Sequence, residues 1–129
     1  MIRKCAAIII NNKKLLVVRK HKTSIYISPG GKIEGNETQI ECLNREIQEE
    51  IGVTFINPIH FSIDYSKSIF EGELIEINSW FIDIIGDPFP CSEIIDLKWI
   101  TSKEEEKIQI GSIFKDSIIP KLKNIGLIE

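Results

Sequence analysis

The sequence has no C-x-x-C pair, no apolar run near the roughly 18–20 residues of a transmembrane helix, and no charge excess large enough to gather a polyanion. Each absence removes a class of function. Three cysteines, Cys5, Cys42 and Cys91, are odd in number and widely spaced, which fits neither a disulfide framework nor a zinc knuckle, so they are expected to be reduced and structural. His21 and His60 are too few and too far apart for a local zinc site, and no Ser-His-Asp or Cys-His motif offers a covalent nucleophile. Sixteen Lys and Arg against nineteen Asp and Glu leave a net charge of −3, mildly repulsive to nucleic acid and to anionic membranes. The opening Met1-Ile2-Arg3-Lys4 with Cys5–Ile10 imitates a signal peptide, but the run stops at Asn11-Asn12-Lys13-Lys14 without a small-residue cleavage site and reads as a strand. A soluble, cytoplasmic protein with no membrane contact and no stable nucleic-acid binding is expected.

What is present is ordinary globular material: 129 residues, 43% hydrophobic and 27% charged, the size of one domain. Cys5–Ile10 and Leu15–Arg19 flank a polar cluster and predict a hairpin or neighbouring strands, followed by a short apolar stretch at Ile25-Tyr26-Ile27. Ser28-Pro29-Gly30-Gly31-Lys32 ends regular structure. Ile40, Leu43, Ile47 and Ile51 recur at helical spacing, predicting a helix from about Glu37 to Ile51, with Asn36 and Gln39 as capping partners and Gly52 as the stop. Beyond it, Ile59, Phe61, Ile63 and Tyr65 alternate with polar residues as in a strand with one wet face, and Glu71-Gly72 supplies a turn. Leu74 to Ile85 predicts a strand in the middle of the sheet, Gly86-Asp87-Pro88-Phe89-Pro90 a break, and Leu97–Ile100 a last strand. An acidic turn through Glu104-Glu105-Glu106 and an amphipathic helix from Ile113 to Ile125 close a mixed α/β chain.

The helix from Glu37 carries the chemistry. At about 100° per residue, Glu46, Glu49 and Glu50 fall in an arc of roughly 100° beside the apolar stripe. Glu46 and Glu50 are a like-charge i, i+4 pair that costs an isolated helix about 0.2–0.5 kcal/mol, so the cluster opposes stability unless a cation sits there. Hard divalent cations prefer such oxygens, Mg²⁺ in particular together with phosphates and water.

Gly31, Glu37, Arg45, Glu46, Ile47, Glu49, Glu50, Gly52 and Val53 fall, position for position, on G-x5-E-x7-R-E-U-x2-E-E-x-G-U, with U aliphatic. This segment resembles the box of the Nudix hydrolase family, MutT-like in its compactness. The resemblance implies an α/β/α sandwich with a central mixed sheet, spanning residues 1–129 as a single Nudix hydrolase domain. It implies that Glu46, Glu49 and Glu50 are metal ligands, with Glu46 serving metal or base, that Gly30 offers a carbonyl to the cation, and that Lys32 reaches a phosphate. Glu37 and Arg45 would hold loop and helix in register. Glu93 is the expected further metal carboxylate, with Asp96 as rival, and Asp116 resembles a base-reading position. Arg19, with Lys20 and Lys22, stands where it can contact phosphates.

The expected activity is Mg²⁺-dependent pyrophosphohydrolysis, with Mn²⁺ able to substitute, by water attack on a nucleoside diphosphate linked to a further group. An ordinary or oxidised nucleoside triphosphate giving monophosphate and pyrophosphate is the first reading. Dinucleoside polyphosphates, ADP-ribose or nucleotide sugars are alternatives, and the stretch that carries markers for two of these classes holds Ile69, Phe70 and Glu71, which match neither. A catalytically silent nucleotide-binding sensor is the reading from another class. A monomer or a homodimer is compatible with the sequence.

Overall fold

The structure, a computed structural model, describes residues 1–67, 72–103 and 107–129. The expected Glu71-Gly72 turn, the Ile69-Phe70-Glu71 stretch and the acidic turn at Glu104–Glu106 therefore lie at least partly outside the described residues. The elements are β1 (Ile2–Ile8), β2 (Ile10–Asn11), β3 (Lys14–Lys20), β4 (Ile25–Ile27), β5 (Gly30–Lys32), α1 (Gln39–Ile51), β6 (Thr54–Lys67), β7 (Leu74–Ile85), β8 (Ile94–Ile100), β9 (Gln109–Ile110) and α2 (Ile119–Asn124). A π-helical turn at Phe114–Ile118 leads into α2.

Strand order β5-β1-β7-β6 makes one sheet, mixed because β1 runs parallel to β7 while its other pairings are antiparallel. The second sheet runs β2-β3-β4-β9, with β8 also on β3. The chain crosses between the sheets at Ile9, whose carbonyl accepts from the Leu16 N–H at 2.9 Å. The polar cluster forms a tight hairpin turn with Asn12 at φ 50° and Lys13 at 60°, the pair of positive values that a two-residue turn between twisted strands favours.

Consecutive residues of β1 and β3 face opposite layers. Leu16 and Val18 pack with Cys5, Ala7, Leu43, Ile47 and Ile51 under α1, while Leu15 and Val17 pack with Ile8, Phe114, Ile118, Ile119 and Leu122 under α2. Both faces of these strands are buried, which is why they read as continuous apolar runs. Each fully buried Leu or Ile contributes about 1.5–3 kcal/mol, so Leu43, Ile47 and Ile51 together outweigh the repulsion between Glu46 and Glu50 on the same helix. The result is the α/β/α arrangement with mixed strands in the middle layer, as expected, with that layer divided into two hydrogen-bonded sheets. Among the described residues no helix is long and apolar enough to cross a membrane.

Several local expectations change: Gly30–Lys32, expected to end regular structure, pairs with β1 as β5, and the expected helix from Ile113 to Ile125 is the π-helical turn followed by the short α2. Helix α1 is capped by Thr38, not Asn36: the Thr38 side chain accepts from the Glu41 N–H, and Glu41 answers by accepting from the Thr38 N–H. That reciprocal pair shifts the start two residues downstream, while Gly52 closes the helix at φ 70° as expected. In β6, a bulge between His60 and Ser62 breaks the two-residue period. Phe61 packs edge-on to Phe81, whereas Ile59, Ile63 and Tyr65 stay half or more exposed, so the apolar face predicted from alternation is not the buried one.

Candidate active site

The glycine loop and α1 meet through atoms that leave no room for side chains. Gly30 has φ 138°, and a Cβ there would stand 2.0 Å from the Cys5 carbonyl oxygen across the β1–β5 pairing. A Cβ on Gly31 would stand 2.6 Å from the carboxyl carbon of Glu46. The paired glycines therefore allow the strand to lie directly on the helix face that carries the carboxylates.

Glu50 is 2% exposed, and its Oε1 accepts from the Gly30 N–H at 2.8 Å. Its Oε2 is buried without a partner. Burial pushes its carboxyl up to about 7; the Gly30 N–H and the charge of Lys20 oppose the rise, and the charges of Glu46 and Glu93 add to it. Burial also raises Glu46, against Arg45, which holds it down.

Arg45 is the hub of the cluster. Its Nε and Nη2 donate to the two oxygens of Glu37 at 2.7 and 2.9 Å, Nη2 also donates to the Lys32 carbonyl at 3.0 Å, and Nη1 donates to Glu46 at 2.7 Å. Nη1 also lies 3.6 Å from Glu49. The guanidinium, helped by the Glu34 N–H, holds the Glu37 carboxyl down to about 2, and these carboxylates push Arg45 up. Glu37 and Arg45 thus join loop and helix as expected.

The expected metal residues Gly30, Glu46, Glu49 and Glu50 are gathered here, and Glu93 is close by, its carboxylate 3.5 Å from Lys20 Nζ. As the side chains stand, no three Asp, Glu, His or Cys groups among the described residues form a cage, and Arg45 Nη1 lies 2.7 Å from Glu46 and 3.6 Å from Glu49. The donor set nevertheless fits a hard divalent cation, since a buried carboxylate oxygen without a hydrogen bond is costly and a cation would satisfy it. Asp96 is engaged elsewhere, accepting from the Tyr26 hydroxyl.

A cleft of about 200 Å³ opens beside the carboxylates, lined by Lys4, Lys20, Gly30, Gly31, Ile77 and Phe114 among others. Gly30 and Gly31 belong to both sites. The cationic residues lining the cleft are Lys4 and Lys20 and not Arg19, whose Nη1 donates to the Thr23 carbonyl and whose guanidinium lies over the Tyr26 ring. Lys32 is exposed and takes part in the Arg45 cluster through its carbonyl. Asp116 is exposed on the π-helical turn, and that segment lines the cleft with Gly111, Ser112, Ile113 and Phe114 instead. Ile77 and Phe114 were not singled out from the sequence, because they come from distant segments and no local spacing marks them.

The family model described as NUDIX domain matches residues 1–122. The 8-oxo-dGTP diphosphatase of Escherichia coli is 36% identical over 74 residues, 54% of this chain and 54% of that protein. The match thus spans about half the length of such relatives. The CTP pyrophosphohydrolase of Escherichia coli is 26% identical over 108 residues, 81% of this chain and 78% of that protein. The solution structure of the E. coli ORF135 protein superposes with a TM-score of 0.76 at 25% identity, covering 97% of this chain and 88% of that one.

Proposed function

The chain belongs to the NUDIX domain family, and from that premise we propose that residues 1–129 act as one domain hydrolysing the pyrophosphate linkage of a nucleotide with a divalent cation. The substrate we propose is a nucleoside triphosphate, ordinary or oxidised, cleaved by water to the monophosphate and pyrophosphate. The relatives named as 8-oxo-dGTP diphosphatase and CTP pyrophosphohydrolase support this class. The observation that carries the reading is the buried, half-satisfied carboxylate of Glu50 beside Glu46, opening on a cleft with Lys20.

Glu49, Glu50 and Glu46, with Gly30 and Glu93, would hold the cation, Mg²⁺ or Mn²⁺. Once bound, the cation supplies positive charge against the non-bridging phosphate oxygens and acidifies the attacking water. The residues of the chain do the rest. The Gly30 N–H fixes the Glu50 carboxylate, and Arg45 fixes Glu46. Glu46, with its raised proton affinity, serves the cation or takes the proton of the water. Lys20 neutralises phosphate charge on the cleft side, where Ile77 and Phe114 offer apolar surface to a nucleoside.

The test is phosphate release, coupled to a pyrophosphatase, from nucleoside triphosphates, oxidised guanine nucleotides, dinucleoside polyphosphates, ADP-ribose and nucleotide sugars with Mg²⁺ or Mn²⁺. Metal-dependent release from triphosphates alone is the expected result. Turnover of only another class moves the substrate, and no turnover with intact Mg²⁺ binding overturns the hydrolytic reading.

A further inference from the structure

The cleft has a wall from each sheet, and a carboxylate ties the two walls together. Lys4 and Ile77 stand on the sheet that contains β1, β7 and β6, whereas Lys20 and Ile27 stand on the other. The segment from Gly111 to Phe114 is attached to the second sheet, because Ile110 pairs with Tyr26 and the Gly111 N–H donates to the Tyr26 carbonyl at 2.8 Å. Asp64 on β6 reaches this segment from the first sheet. It is the cross-strand partner of Ile77 and shares its face. Its Oδ1 accepts from the Ser117 hydroxyl at 2.6 Å and lies 4.0 Å from Lys121 Nζ, while its Oδ2 accepts from the Ser62 hydroxyl at 3.1 Å. Ser117 sits on the π-helical turn that begins at Phe114, and the Phe114 carbonyl accepts from the Ile119 N–H. Phe114 and Ser117 are thus parts of one hydrogen-bonded turn, of the wide kind that occurs mostly at functional sites.

We propose that Asp64 is a positioning residue for nucleoside binding: through Ser117 it holds the Phe114 wall at a fixed distance from Ile77 and so sets the width of the cleft. This rests on the reading of Ile77 and Phe114 as the surface that receives the nucleoside. A rigid base gains from such a slot only by contact with its walls, and a gap of about 0.5–1 Å forfeits roughly a quarter to a half of each contact. Ser62, Ser117 and Lys121 all lie outside the carboxylate cluster of α1, so loss of Asp64 widens the nucleoside end and leaves the phosphate end as it was. A staple that served stability alone would loosen both ends alike.

The experiment separates the two ends by their ligands. The full-length protein is titrated calorimetrically in Mg²⁺ with nucleoside monophosphates, 8-oxo-dGMP included, and with pyrophosphate, which lacks a nucleoside. Wild type is compared with Ser117→Ala, Asp64→Ala, the double variant and Asp64→Asn, beside thermal melts. Ser117→Ala and Asp64→Ala should each weaken monophosphate binding about tenfold, the scale of one hydrogen bond to a charged group, and leave pyrophosphate binding unchanged. The double variant should bind no worse than the weaker single one, since both remove the same bond. Asp64→Asn keeps an oxygen that accepts from Ser117 and should stay near wild type. Equal weakening of both ligands overturns the proposal, as does undiminished monophosphate binding in the folded variants. A loss in Asp64→Asn as large as in Asp64→Ala assigns the effect to charge and also overturns it. Ser117→Ala removes a single oxygen, so the comparison stands even where Asp64→Ala fails to fold. A wild-type protein that binds no monophosphate overturns the nucleotide reading itself, before any variant is compared.

Discussion

The carboxylate of Glu46 occupies the space that a side chain on Gly31 would need, its carboxyl carbon 2.6 Å from where that Cβ would sit. Loop and helix are complementary at this point by subtraction. Gly31→Ala should therefore displace Glu46 from Arg45 Nη1 and lower turnover by about 10²-fold, the scale of an ångström-level misplacement. Steady-state kinetics beside a thermal melt check it; a folded variant at full rate would refute the role given to this contact.

Glu50→Gln should remove activity by orders of magnitude while stabilising the metal-free protein at neutral and higher pH. The buried carboxyl holds its proton up to about 7 against a reference of 4.5, so burying its charge opposes folding above pH 4.5, and that cost is complete once the pH passes 7. Glutamine lacks the cost. The gain should be on the order of 3 kcal/mol at pH 8 and vanish below pH 4.5. Urea melts in chelator at pH 8 and pH 4 measure it, and a variant less stable than wild type at pH 8 contradicts the sign.

Arg45→Lys is not conservative here, because a lysine ammonium cannot reproduce the fork that joins Glu37, Glu46 and the Lys32 carbonyl. Misorienting a cation ligand through its partner should lower activity or metal affinity about 10- to 100-fold. The Glu37 carboxyl, held at about 2 against 4.5, contributes stability that is present above pH 4.5 and fades as the pH falls toward 2. Wild type should accordingly melt above the variant at pH 7, with the gap closing in acid.

The box was legible because everything in it is local: residues within one loop and one helix, tied by a fixed period. What surrounds it was not. Arg19 and Lys20 are adjacent, and the face on which each falls depends on strand pairings that only the folded chain sets. Asn36 and Thr38 are both acceptable caps, and the choice falls to Thr38 through its reciprocal bonds with Glu41, while Glu37 between them is claimed by Arg45. The bulge at His60 leaves no local trace, yet it turns Phe61 inward and Ile63 outward.

Lys20→Ala should raise KM about tenfold, the value of one charge-assisted contact, with a smaller change in kcat. Arg19→Ala should leave KM near wild type, since that side chain is spent on Thr23 and Tyr26. Parallel titrations of the two variants decide between the neighbours, and a larger effect at Arg19 would reverse the assignment.

Strand β3 lends Leu15 and Val17 to one layer and Leu16 and Val18 to the other. Neither half of the molecule can melt while its share of this strand stays in place, so the folding reaction has no natural halfway point. In native-state hydrogen exchange the amides of these four residues should open only with global unfolding and share one free energy. Damage to the packing of α2, on the opposite face of β3 from α1, would then lower by the same amount the protection of amides beneath α1.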